Sequence, residues 1–130
     1  MSGVSEWLRD KAASHYGDNS PSGRYWKKRY ADEVRADRMR AARALGSHTA
    51  EEWEEILEQC EGRCMKCGYR ADGWRPCKDH IVPIALGGSD AASNLQPLCR
   101  QCNTGKRGDT TNWRHYREQH GWADATHYEP

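Results

Sequence analysis

Two Cys-x-x-Cys knuckles, Cys64-Met65-Lys66-Cys67 and Cys99-Arg100-Gln101-Cys102, stand on either side of residues 68–98. Each knuckle presents two thiols from one tight turn, and two such pairs close the tetrahedral four-sulfur set of a structural zinc ion. The polar N-terminus holds no signal-peptide apolar core, so a reducing setting is expected, with metal-bound thiols rather than disulfides. The need for a metal staple follows from the rest of the chain. Leu, Ile, Val and Phe number six, three, three and none among 130 residues, about 9% against the roughly 20% floor of globular chains. Apolar burial alone therefore supports little folding, and metal-coupled folding supplies the difference. Six Trp and six Tyr add bulk, and 20 basic residues against 19 acidic leave a net charge of only +1, unlike a disordered chain. Cys60 and Cys77 are left over; Cys60 is read as a free thiol at a helix end. No apolar run approaches the roughly 18 residues of a membrane span, so a soluble, cytoplasmic protein with no membrane partner is expected.

The chain reads as four stretches: 1–23, 24–48, 49–107 and 108–130. Residues 1–23 combine a short helix near Trp7 and Leu8 with the turn-rich run Gly17 to Gly23, which is expected to be mobile. From Arg24 to Leu45 no Gly or Pro intervenes, and Trp26, Tyr30, Val34, Ala41 and Leu45 fall near helical spacing, which predicts one long basic helix ended by Gly46. Two readings stay open for it: a DNA-backbone contact or a plain solvated face. Thr49 and Glu52 spell a capping box for a helix that buries Trp53, Ile56 and Leu57 and stops at Gly62. Asp79-His80-Ile81-Val82-Pro83-Ile84 and Asn94-Leu95-Gln96-Pro97-Leu98 are strand candidates around a Gly87-Gly88-Ser89 loop, expected to pair antiparallel over a short stretch because Pro83 and Pro97 cannot donate. A helix is predicted from Cys99 to Arg107, and another capped by Asp109 or Thr110 that ends before Gly121. His15, His48, His115, His120 and His127 are read as surface or packing residues, and Trp113 with Tyr116 as packing for the last helix.

Asp79-His80-Ile81-Val82-Pro83, Gly87-Gly88, Asn94-Leu95-Gln96-Pro97-Leu98-Cys99, Cys102-Asn103 and Lys106, framed by the two knuckles, resemble an HNH endonuclease over roughly residues 49–107. The resemblance implies a small α+β fold: a ββα-metal motif gripping one divalent ion, clamped by the four-cysteine zinc site and extended by helices at both ends. It departs from the family name at its third position, where Asn103 replaces a second His, as in H-N-N variants and the phage Holliday-junction resolvases that resemble them. It makes His80 the water-activating base, Asp79 a metal ligand, and Asn94 the residue that fixes the hairpin loop and orients the base. The chain is also similar in size to phage-encoded HNH proteins, some of which assist packaging machinery, so the resemblance extends to packaging proteins as partners and to a host-cell cytoplasm.

The residues themselves suit the same chemistry. Phosphodiester hydrolysis needs a base for water, a cation for the leaving oxygen and donors for the phosphate. His80 supplies an imidazole. Asp79 and Asn103 supply hard oxygens suited to Mg²⁺ or Mn²⁺, although the residues alone leave open whether His80 or Asp79 binds the ion. On a helix, Asn103, Lys106 and Arg107 share one face, which places two cations, read as DNA-binding, beside the phosphate. Adjacent strand residues face opposite sides, so the strand must end or twist at Asp79-His80. Any DNA-binding face must be local: the Arg24–Arg43 helix, or Lys106, Arg107, Arg114 and Arg117. The expected function is a metal-dependent DNA endonuclease; the alternatives are a zinc-stabilised nucleic-acid-binding module without turnover and a junction-resolving nuclease.

Overall fold

The computed structural model describes residues 4–129. The chain divides into two compact units, residues 1–41 and 42–130. The first holds α1 (Glu6–Ser14) and most of α2 (Pro21–Leu45), which runs on into the second. The Gly17 to Gly23 run is a tight helix start. Asp18 Oδ1 accepts from the Ser20 N–H at 2.8 Å and Ser20 Oγ from the Gly23 N–H at 3.2 Å, so α2 opens at Pro21, three residues before the predicted start, with Pro in its usual first-turn place. Gly23 is needed there, because a Cβ would lie 2.5 Å from the Asp18 carbonyl oxygen. Trp7 and Trp26 meet edge-on at 6.1 Å, with the Arg29 guanidinium over both rings.

The second unit contains α3 (Ala50–Gln59), β1 (Cys77–His80), β2 (Leu95–Leu98), α4 (Arg100–Gly105) and α5 (Trp113–His120), with single 3₁₀ turns at Ile84–Leu86 and Ala92–Asn94. Both bonds of the predicted Thr49/Glu52 capping box are present. Its helix sends Trp53, Ile56 and Leu57 into a core with Cys60, Met65 and Leu95, flanked by Trp113 and Trp122. β1 and β2 pair antiparallel in the register Cys77↔Leu98, Lys78↔Pro97, Asp79↔Gln96 and His80↔Leu95. With α4 following directly, they form a ββα unit within an α+β fold. Pairing stops at His80, as the sequence required, and the Ile81 N–H turns to the Asn94 carbonyl at 2.7 Å.

The last helix starts later than predicted. Asn112 caps α5 by accepting from the His115 N–H at 3.0 Å, whereas Asp109 closes a local turn by accepting from the N–H and hydroxyl of Thr111. Buried Gln96 explains the choice: its Oε1 accepts from the Trp113 N–H at 2.8 Å and its Nε2 donates to the Thr111 carbonyl at 3.2 Å, so the chain is held extended up to that point. Trp113 packs against both core clusters. Arg117, one of the cations considered for DNA, is buried instead. It donates to the Met65 and Lys66 carbonyls at 2.7 and 2.6 Å and lies over Trp113, Tyr116 and Trp122, which ties α5 to the first knuckle. Arg114 is likewise committed to the Ala92 and Leu95 carbonyls. No helix among the described residues is long and apolar enough to cross a membrane.

Candidate active site

The Sγ atoms of Cys64, Cys67, Cys99 and Cys102 all lie within 4.8 Å of one another, the one such metal-holding cluster of His, Cys, Asp or Glu among the described residues. Cys67 and Cys99 are 3.8 Å apart at sulfur. That is the edge of a tetrahedron with zinc–sulfur bonds of about 2.3 Å, and nearly double the roughly 2.05 Å of a disulfide. Burial, with the neighbouring Cys64 and Cys99 sulfurs, pushes the Cys67 thiol up to about 11, and burial with the Cys99 sulfur drives Cys102 upward as well. Burial alone would raise Cys64, but backbone N–H groups of Cys67, Cys99 and Lys66 hydrogen-bonded to its sulfur outweigh it and hold that thiol below its ordinary value. Four sulfurs this close could hold a metal ion among them, and the set fits zinc. Cys60 lies outside the cluster, in the α3 core, where burial lifts its thiol to about 11.

Beyond this cluster, β1, the loop after it and α4 line an open, shallow cavity of about 350 Å³ whose lining includes Lys78, Asp79, His80, Asn103, Lys106 and Arg107. His80 Nε2 lies 2.8 Å from Oδ1 of buried Asp90. A carboxylate oxygen accepts, so Nε2 carries a proton, and in the neutral ring that leaves the lone pair on Nδ1; Nδ1 has no protein partner among the described residues. Asp90 is itself held from several sides. Its N–H donates to the Ala42 and Gly46 carbonyls at 3.2 and 3.1 Å, and its carbonyl accepts from His48 Nδ1 at 2.7 Å. His48 Nε2 in turn takes a bond from the Lys78 ammonium at 2.8 Å.

Asp79 faces the other way along β1. Its Oδ2 accepts from Gln96 Nε2 at 2.9 Å and from the Lys106 ammonium at 2.8 Å. Lys106 also donates to the His80 and Ile81 carbonyls at 2.5 and 2.9 Å, so all three of its protons are used inside the protein. Asp79 Oδ1 takes no such bond, and no buried side-chain oxygen among the described residues lacks a partner, so Oδ1 is the open oxygen. The Asn103 carboxamide has no protein hydrogen bond among the described residues either. One open carboxylate oxygen and one amide oxygen lining the same cavity fit a hard divalent cation that keeps waters and substrate oxygens as its other ligands.

Asn94 clamps the loop between these elements. Its Oδ1 accepts from the Val82 N–H at 2.9 Å, and its Nδ2 donates to the Val82 and Ser89 carbonyls at 3.0 and 2.7 Å. Gly88 makes this approach possible, since a Cβ there would lie 1.8 Å from the Val82 carbonyl oxygen. The fold thus brings His80, Asp79, Asn103, Lys106 and Arg107 to one cavity and sets Asn94 behind it. Asp90 and His48 escaped the sequence reading. The one signal for Asp90 was its place after Gly87-Gly88-Ser89 and four residues before Asn94, in a loop that only hairpin pairing folds back onto His80.

Residues 64–113 match the family described as HNH endonuclease. Among the curated proteins compared, none matches the chain. The matched segment spans both knuckles, both strands, the clamped loop and α4, and over that segment the chain is similar to the HNH endonucleases.

Proposed function

We propose that this protein is a DNA endonuclease in which His80 Nδ1 takes the proton of the attacking water. The observation that carries the reading is the His80 imidazole, held through Nε2 by Asp90 and lining one cavity with Asp79 and Asn103. The water oxygen attacks phosphorus as its proton passes to Nδ1, and the bond from phosphorus to O3′ breaks; the released O3′ takes a proton from solvent water, leaving a 3′-hydroxyl and a 5′-phosphate, and His80 later returns its proton to solvent. Asp90 fixes the ring and its tautomer. Asn94 holds the loop that carries Asp90. The open Asp79 oxygen and the Asn103 amide oxygen would hold Mg²⁺ or Mn²⁺. When bound, that ion supplies positive charge to a phosphate oxygen and to the leaving oxygen. Lys106 enters as the counter-ion that orients Asp79, and Arg107, beside it in the cavity, as the phosphate contact. The four cysteines hold a structural zinc ion away from the chemistry. Incubating the protein with supercoiled plasmid, linear duplex and a four-way junction, each with Mg²⁺ or Mn²⁺, tests this. Nicked or linear plasmid is expected. Cleavage confined to the junction would make it a junction-resolving enzyme, and duplex binding with no cleavage of any form would make it a zinc-stabilised binding module.

A further inference from the structure

A nuclease must hold a polyanion, yet the unit that carries the cavity is itself acidic: residues 42–130 contain eleven basic side chains against thirteen acidic. Several of those basic groups are also spent internally. Arg117 and Lys106 are buried or nearly so on carbonyls and carboxylates, Arg114 is bound to carbonyls, and Arg63 is buried on the Gly68 and Glu129 carbonyls. Around the cavity Arg107 remains, and Lys78 is bonded to His48. Neutralising one or two phosphates gives weak, salt-sensitive binding. Residues 1–41 carry the opposite balance, nine basic against six acidic.

The excess is organised. At 100° per residue, Arg24, Lys28, Arg35 and Arg38 fall within an arc of about 80° on α2, along roughly 21 Å of helix. All four are exposed. Lys28 and Arg35 share one acidic neighbour, Asp32, and their side chains stay 77% and 65% exposed. Such surface pairs are worth little and yield readily to a phosphate. Asp32 is the acidic side chain bonded at the edge of this arc, while Glu33 and Asp37 lie on the opposite face, where Asp37 pairs with Arg40.

We infer that the Arg24, Lys28, Arg35 and Arg38 face of α2 is a sequence-independent binding surface for the phosphate backbone of duplex DNA. This rests on the nuclease reading for its biological sense, and it decides the question that the sequence left open for this helix. Phosphate contacts of this kind set affinity and carry no base readout, so the stripe supplies the hold that the acidic unit lacks.

The test is fluorescence anisotropy of a labelled 20-base-pair duplex with the full-length zinc-loaded chain, without Mg²⁺ or Mn²⁺, between 50 and 300 mM salt. Replacing all four residues by Gln, which keeps helix propensity nearly unchanged, is expected to make the log affinity against log salt slope shallower by about three to four, and to weaken binding more than about tenfold at 0.1 M salt. The Arg24→Lys, Arg35→Lys, Arg38→Lys variant is expected to keep the wild-type slope, which removes loss of fold as an explanation. A control pair off the stripe, Arg9→Gln with Arg40→Gln, is expected to change it by less than one. An unchanged slope in the four-Gln variant overturns the inference, as does an equal loss per charge in the control pair. Loss of binding to phosphatidylserine vesicles with an intact DNA slope also overturns it and would assign the stripe to a membrane surface. Cleavage plays no part in this measurement, so a wild type that binds DNA through the stripe but never nicks it counts against the nuclease reading alone.

Discussion

Asp90 Oδ1 and His80 Nε2 lie 2.8 Å apart, ten residues distant in sequence, one on a strand end and the other in the loop that doubles back over it. The contact is built from the far side. The Asp90 N–H is tied to carbonyls at the end of α2, and its own carbonyl is held by His48, so the backbone that carries the carboxylate is anchored from two sides.

Asp90→Ala should therefore cost activity without costing the fold. Loss of the group that sets an imidazole tautomer lowers turnover by roughly 10² to 10⁴, and Asp90→Asn should fall in the same range because an amide can donate to Nε2 and move the ring proton. Single-turnover nicking, with zinc content and circular dichroism as controls, checks this. Near-wild-type rates in both variants would mean that Asp90 is only a loop anchor.

His48→Ala acts one bond further out. It removes the donor to the Asp90 carbonyl and the acceptor of the Lys78 ammonium, so a smaller loss is expected, about tenfold in rate, with metal content unchanged. His48→Gln, which can restore one of the bonds, should recover part of it.

Lys106 and Asp79 form a buried pair, with side chains 9% and 7% exposed. Removing one partner strands the other charge. Lys106→Met is expected to destabilise the protein by about 3 kcal/mol, and the double change Lys106→Met with Asp79→Leu to regain much of that in urea unfolding. A single mutant as stable as wild type would show that the pair does not hold the hairpin to α4.

In the metal-free protein Cys67 and Cys102 have raised thiols and so keep their protons at neutral pH. Zinc must displace those protons, so its apparent affinity should rise with pH and fall on acidification, by about tenfold per displaced proton for each pH unit. A chelator competition between pH 6 and 8 measures it, and a flat profile would contradict the ligand set. Cys99→Ser should lose zinc and fold together, whereas Cys60→Ser should keep its zinc, since Cys60 lies in the α3 core outside the cluster.

Gly88→Ala should open the loop, because its Cβ would meet the Val82 carbonyl oxygen at 1.8 Å and crowd the Asn94 amide at 3.0 Å. Nicking is expected to drop at least about tenfold while zinc, held by other segments, stays. Unchanged nicking would mean that the Asn94 clamp does not set the position of His80.

Spacing made much of this legible. The knuckles and the Thr49/Glu52 cap could be read because each depends on neighbours a fixed few residues away, whereas the roles given to Asp79, His80 and Asn94 came with the family resemblance. The start of α5 could not, since Gln96 reaches across the sheet to hold residues 111–113 extended. Nor could the commitments of Arg117 and Lys106, which look like surface cations in sequence and in the fold bond inward, Arg117 to the Met65 and Lys66 carbonyls and Lys106 to the Asp79 carboxylate and the His80 and Ile81 carbonyls. The Asp90 contact belongs to the same class, because it exists only once the hairpin has closed.

The most direct measurement compares wild type and His80→Ala on supercoiled plasmid with Mg²⁺ or Mn²⁺, at equal zinc content and equal circular dichroism. Conversion to open circles by the wild type, with the variant slower by at least about 10², is the expected result. Equal nicking by the two proteins would remove His80 from the chemistry.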